Sequence, residues 1–177
     1  MDYAYFMGKA LAQAREALAR GEFPVGCVIV RGGEIIATGA RRGTAGGAVN
    51  ETDHAEMVAL RRLEALGPNV AREELALFCT MEPCLMCFGA ILIAGIGTLV
   101  WAYEDAMGGG TACDRFALPP LYRDRRITIV PGILRAESLA LFKSFFRNPA
   151  NGYWAGSLLA EYTLAQETAD RRLKAED

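Results

Sequence analysis

A chain of 177 residues that is 52% hydrophobic and 23% charged has enough apolar material for one compact core, which excludes a disordered or low-complexity protein. Its formal net charge of −2 argues against affinity built chiefly on polyphosphate, which calls for a basic face, and favours a small-molecule substrate. The clustered arginines (Arg41-Arg42, Arg61-Arg62, Arg123 with Arg125 and Arg126, Arg171-Arg172) lie beside acidic residues or in loops and read as solvated surface groups.

In chain order, Tyr3, Phe6, Met7, Ala10, Leu11, Ala14 and Leu18 fall at helical spacing and stop at Gly21, predicting a first helix over 3–19. Val25 to Val30 and Glu34 to Gly39 are apolar runs separated by Arg31-Gly32-Gly33, a hairpin signal. A loop rich in Gly, Thr and Asn then leads into His54, from which Ala55, Met57, Val58, Leu60 and Leu63 describe a second helix stopping near Gly67-Pro68. Strands are expected at 75–80, 98–102 and 127–130, and helices at 84–94, 136–146 and 157–176. A helix, a hairpin and then alternating helices and strands predict an α/β fold, a three-layer domain around a mixed sheet. Pro149 and Gly152 interrupt the pattern, so residues 1–147 are expected to form the main domain and 148–177 a helical extension.

Two features bear on location. Cys84 to Tyr103 is twenty residues without a formal charge, long enough to span a bilayer, but its C-x-x-C and the Gly95-Ile96-Gly97 break favour a buried helix, a turn and a buried strand. The five cysteines are an odd number, two of them in a C-x-x-C, and no basic and apolar leader opens the chain. A cytoplasmic protein with no membrane association is expected.

The chemistry concentrates in His54-Ala55-Glu56 and Pro83-Cys84-Leu85-Met86-Cys87. His54, Cys84 and Cys87 are three soft or borderline donors suited to zinc. A structural zinc site closes with four protein ligands, whereas a catalytic one leaves a position open. His54 is the only histidine, so a fourth protein ligand would have to be Asp53, Glu56 or Cys113. Cys84 and Cys87 at i, i+3 share one helix face, and Pro83 suits a first turn, where a missing N–H costs nothing. Two thiolates and a neutral imidazole leave a divalent ion formally uncharged. The site is thereby a weaker Lewis acid than a three-histidine one, and Glu56 is expected to act as general base and proton shuttle on a zinc-activated water. A redox C-x-x-C or non-catalytic zinc protein is the reading from another class.

The H-x-E…P-C-x-x-C pattern is that of zinc nucleobase deaminases, and the chain resembles the cytidine deaminase superfamily over residues 3 to 147. Within it, the likeness is to the branch holding bacterial tRNA adenosine deaminases, guanine deaminases and cytosine deaminases. Further landmarks are Glu22-Phe23-Pro24-Val25-Gly26, Thr80-Met81-Glu82 and Trp101-Ala102-Tyr103-Glu104-Asp105-Ala106. The resemblance implies a five-stranded mixed sheet flanked by helices, one zinc per subunit held by His54, Cys84 and Cys87, and a homodimer, for which the apolar 84–94 helix is a candidate face. It also implies a substrate pocket lined by Phe23 to Val25, with the amides of Ala55 and Cys84 contacting the base and the zinc-bound water, and Asp105 near a ribose. The expected activity is hydrolytic removal of an exocyclic amine from a nucleobase, nucleoside or related heterocycle, with tRNA adenosine-to-inosine deamination as the alternative. Two departures stand out. The pocket asparagine that commonly closes the second strand is replaced in Gly39-Ala40-Arg41, so its contact is lost or passes to Arg41, Asn50 or Asp53. Glu104 and the uncharged Met107-Gly108-Gly109-Gly110 stand where tRNA-acting relatives carry basic residues. Tyr153-Trp154 is expected either to close over the pocket or to belong to a packing segment.

Overall fold

The central strands are buried on both faces, which is why they read as nearly continuous apolar runs. The computed structural model describes residues 1–46, 49–67 and 71–166. Five strands, β1 (Gly26–Arg31), β2 (Glu34–Ala40), β3 (Ala76–Met81), β4 (Thr98–Tyr103) and β5 (Thr128–Val130), form one sheet in the order β2-β1-β3-β4-β5. β1 runs antiparallel to β2 and β3, while β3, β4 and β5 are parallel, so the sheet is mixed. The helices are α1 (Tyr3–Ala19), α2 (Ala55–Glu64), α3 (Leu85–Ala94), α4 (Pro120–Arg123), α5 (Arg135–Arg147) and α6 (Leu158–Ala165).

Alternate strand residues feed different cores. Val28 and Val30 of β1 and Ala76 and Phe78 of β3 pack with Phe6, Met7, Ala10 and Leu11 of α1. Their neighbours Cys27, Ile29, Leu77 and Cys79 join Ala55, Leu60 and Leu63 of α2 and Phe88, Ile91 and Leu92 of α3 on the other side. This two-residue period on strands meeting helical stripes gives three layers, α1 and α5 on one face and α2 and α3 on the other. The parallel β3–β4 pair needs a crossover, and α3 supplies it. The uncharged stretch expected to be helix, turn and strand is α3, a left-handed Gly95 (φ 76°) and β4. No helix among the described residues is long and apolar enough to cross a membrane.

Boundaries differ from the sequence expectation by a residue or two, and α4 was not foreseen, since four residues carry no periodicity. The final helix closes at Ala165; the rest of the predicted 157–176 segment, with Arg171-Arg172, lies outside the described residues, as does Pro68. α6 joins the main core, burying Leu159, Ala160 and Thr163 completely or nearly so. Tyr103 and Thr163 share a hydrogen bond of 3.1 Å, and Glu104 at the end of β4 binds Arg135 of α5 and the Tyr162 hydroxyl of α6 (2.7 Å).

One close approach sets the position of α2. A Cβ on Gly39 would lie 2.0 Å from the carbonyl oxygen of Ala55. Glycine there lets the first turn of α2 sit directly on β2, which fixes His54 and Glu56 to the sheet.

Candidate metal centre and pocket

His54 and Cys84 are equivalent in local structure. Each is the residue preceding its helix, with extended backbone (φ −62°, ψ 153° and φ −65°, ψ 169°), and neither spends its side chain on capping. Their side chains are therefore free to face one another where the two helix N-termini converge. Cys87, one turn into α3, is fully buried. His54 Nδ1 lies 3.5 Å from Cys84 Sγ and 3.5 Å from Cys87 Sγ, and the three donor atoms all fall within 4.8 Å of one another. Zinc–sulfur and zinc–nitrogen bonds of about 2.3 and about 2.0 Å at a tetrahedral angle require an S···N separation of about 3.5 Å, so the donor set fits zinc. None of the other three side chains weighed as a fourth ligand belongs to this cluster: Asp53 is paired with Arg42 (3.1 Å) and Arg61, and Cys113 and Glu56 lie outside it.

The electrostatics suit a cation. Hydrogen bonding from the Cys87 thiol and from His54 outweighs burial and pulls the Cys84 thiol down to about 4. Cys87, beside that thiolate, buried and near Glu56, is pushed up. A divalent ion supplies the charge that allows both to be thiolates at once. The Cys84 contact raises the imidazole of His54, with burial and the Arg41 guanidinium acting in the opposite direction. Glu56 is 3% exposed, its Oε2 is 3.6 Å from Cys87 Sγ, and burial raises its carboxyl above the ordinary range. A buried carboxyl beside the donor cluster is placed to take up and release a proton.

The centre opens into a cavity of ≈ 470 Å³, mouth included. Phe23, Val25, Ala55 and Asp105, the substrate-side residues expected from sequence, all line it, together with His54, Glu56 and Cys84. Asp105 Oδ1 also accepts the amides of Met107 (3.0 Å) and Gly108 (2.9 Å), so its carboxylate shapes its own loop. That loop is pinned by Glu82, which accepts the Asp105 amide (3.2 Å) and binds Thr111. The Gly110 amide donates to Pro83 O (2.9 Å), and a Cβ on Gly110 would come within 2.7 Å of the Leu85 backbone. Gly110 thus lets the loop press against the start of α3. Nor is Glu104 an open acidic substitute for a basic RNA contact, since Arg135 neutralises it.

The reading of Arg41 as a solvated surface group is overturned, while its place among the candidates to replace the asparagine stands. Arg41 is 2% exposed and lines the cavity, whereas its neighbour Arg42 is exposed. Of the three residues weighed as replacements for the pocket asparagine, Asn50 turns its side chain to the amides of Thr52 and Asp53, Asp53 is ion-paired, and only Arg41 reaches the pocket. Its guanidinium contacts the Tyr153 hydroxyl at 3.3 Å, and Tyr153 stacks on Trp154 (centroids 5.0 Å apart, 15° between planes). Both rings line the cavity and touch Phe23, so the segment after α5 builds a pocket wall. Glu82 and Gly108 also line it, and the sequence reading assigned neither to the pocket.

Comparison with known proteins agrees with this geometry. A tRNA-specific adenosine deaminase of Streptococcus pyogenes serotype M18 is 35% identical over 147 residues, covering 82% of this chain and 91% of that protein. A solved structure from work on A-to-I editing by tRNA:A34 deaminases superposes with a TM-score of 0.65 at 32% identity, over 77% of this chain and 98% of the other. Guanine deaminase from Nitrosomonas europaea gives 0.62 at 25% identity, over 78% and 81%. Residues 1–103 match the cytidine and deoxycytidylate deaminase zinc-binding region, and the chain belongs to that family of zinc-binding deaminases.

Proposed function

We propose that this chain is a hydrolytic deaminase that removes the exocyclic amine of an aminated nucleobase ring, with His54, Cys84 and Cys87 as zinc ligands and Glu56 as proton carrier. The observation that carries the reading is the buried Glu56 carboxyl beside a three-donor cluster at the floor of a cavity. Zinc, when bound, supplies a Lewis acid that makes a hydroxide nucleophile available near neutral pH. The protein's own groups do the rest. Glu56 takes a proton from the attacking water and donates it to a ring nitrogen, then takes the proton of the newly added hydroxyl and passes it to the departing amine, which leaves as ammonia while the ring carbon keeps an oxo group. Phe23, Val25 and the Tyr153-Trp154 wall hold the flat ring and exclude water, while the amides of Ala55 and Cys84 orient it.

For the substrate, the likeness to tRNA adenosine deaminases favours adenosine within tRNA, the reading that composition alone places second. The free-base reading is supported by the likeness to a guanine deaminase, the aromatic-walled cavity and the uncharged 107–110 loop. A homodimer and a reducing compartment such as the cytoplasm complete the proposal, with residues 1–147 as the deaminase domain and the following segment a C-terminal extension whose described part packs into the same core. Ammonia release from guanine, cytosine, adenine, adenosine, cytidine and a tRNA anticodon stem-loop decides among these. Turnover of the stem-loop alone, with steeply salt-dependent binding, establishes the tRNA reading. Turnover of a free base or nucleoside establishes the other, and no release from any substrate by zinc-loaded protein refutes both.

A further inference from the structure

The cavity holds a buried cation whose chemistry the deamination scheme does not use. A guanidinium has five N–H donors and no acceptor. In Arg41, Nη1 donates to Arg42 O (3.1 Å) and Asn50 O (2.7 Å), and Nη2 to Glu51 Oε2 (3.4 Å) and the Tyr153 hydroxyl (3.3 Å). The fifth donor, Nε–H, has no partner among the described residues. Four contacts from two separate parts of the chain thus fix the plane of the group and leave one donor over, on a side chain that lines the pocket. Its ion-pair partner Glu51 is 56% exposed and also accepts from Tyr153 at 2.8 Å, and the guanidinium lies 5.7 Å from the Tyr153 ring centroid. No Arg41 nitrogen is both buried and unpaired among the described residues, so the spare Nε–H is open to solvent or to a ligand.

We propose that Arg41 is a specificity-determining residue that binds an oxygen acceptor of the substrate, so that the pocket selects aminated rings bearing an oxo group or an oxyanion over those bearing a second amine. The assignment rests on the deaminase reading for its substrate class. A donor-only group cannot pair with an amino substituent, whereas a carbonyl or phosphate oxygen completes a charge-assisted hydrogen bond. A site built to hydrogen-bond one substituent rejects the analogue that leaves its donor unpaired.

Matched pairs of ligands test this, using Glu56→Gln protein so that bound rings are not consumed. Calorimetric titration compares guanine with 2,6-diaminopurine, which exchanges the oxo group for an amine, and adenosine with adenosine 5′-monophosphate, which adds a phosphate. The expected result is a preference of about 10- to 100-fold for the oxygen-bearing member of one pair, the range for a charge-assisted hydrogen bond, abolished by Arg41→Met. Preference in the first pair identifies a ring oxygen as the partner, and preference in the second a phosphate. If Arg41→Met does not fold, Arg41→Gln carries the test, since an amide can both donate and accept and should level the pair. No preference in either pair, or a preference that survives substitution, overturns the assignment. Ammonia release by the parent protein is read separately: a preference that depends on Arg41 without any release refutes the deaminase reading and leaves the recognition role standing.

Discussion

His54 Nδ1 and Cys84 Sγ stand 3.5 Å apart although 30 residues separate them, because each occupies the extended position that precedes a helix. The helices reach the same point by different routes, α2 seated on β2 through Gly39 and α3 launched from the end of β3. A donor set anchored to two rigid elements holds its geometry better than one carried on loops.

This arrangement separates metal binding from proton transfer. His54→Ala and Cys87→Ser should each abolish stoichiometric zinc in purified protein, read by metal analysis. Glu56→Gln should keep the zinc and lose about 100- to 10,000-fold in turnover, the usual contribution of a positioned acid–base group. Equal zinc loss in Glu56→Gln would instead make that carboxylate a ligand.

The start of α3 depends on the glycine loop beside it. In Gly110→Ala the new methyl group meets the Leu85 amide nitrogen and Cα at 2.7 Å and the Cys84 carbonyl carbon at 2.9 Å, all backbone atoms that cannot swing away. Overpacking of this kind costs about 1–3 kcal/mol. The strain falls beside Cys84, a proposed zinc ligand, so the expected outcome is a lower urea midpoint together with weaker zinc retention against a chelator. Gly152→Ala, where no atom lies within 4 Å of the added carbon, serves as the neutral comparison.

How far the sequence could be read follows from the range of the interactions. His54-Ala55-Glu56 and Pro83-Cys84-x-x-Cys87 were legible because the spacing within each motif reports a local helix face. β1 and β3 were legible because burial on both faces leaves unbroken apolar runs. Arg41 was not, since its burial depends on Tyr153, 112 residues downstream, and on the carbonyl of Asn50. Glu104 reads in sequence as an acidic substitution at an RNA-contact position, but its meaning comes from Arg135 and Tyr162 on later helices. The one pointer to Arg41 was its position at the end of β2, where relatives carry a pocket asparagine.

Acid should loosen the pocket through Glu22. Its carboxylate accepts the amides of Gly43 (3.0 Å), Thr44 (2.6 Å) and Ala45 (3.1 Å) and the Thr44 hydroxyl (2.6 Å), and Thr44 Oγ1 in turn accepts the amide of Phe23. Partial burial works to raise this carboxyl, but the hydrogen bonds outweigh it and hold it below its ordinary value. Because the folded pKa is depressed, the stabilisation is complete above the unfolded value of about 4.3 and disappears as pH falls through the folded one. Glu22→Gln should therefore be less stable than the parent at pH 7, with the difference shrinking below about pH 4 in urea titrations at each pH. A constant difference from pH 7 to 3 would contradict this account.

The C-terminal helix should contribute to the stability of the whole fold. Leu159 is fully buried in the same core as Phe142 and Phe145. Leu159→Ala should cost about 2–5 kcal/mol in a single cooperative transition. A separate early transition, with zinc and the rest of the fold retained, would show α6 to be an independently melting appendage.

The apolar outer face of α3 points to a second copy of the chain. Leu85 and Ile93 are 62% and 51% exposed, and nearby Leu121 of α4 is 53% exposed, although α3 begins at the metal centre. Exposed apolar side chains of this size along one helix make it a candidate contact surface. The zinc-loaded protein is accordingly expected to sediment as a dimer at micromolar concentration. Ile93→Asp should shift it to monomer, because an isologous contact places the new charge in the interface from both sides. Zinc content should be unchanged, as Ile93 lies near the far end of α3 from Cys84 and Cys87. A parent protein that sediments as a monomer across the concentration range would remove the dimer from the account and leave the zinc chemistry intact.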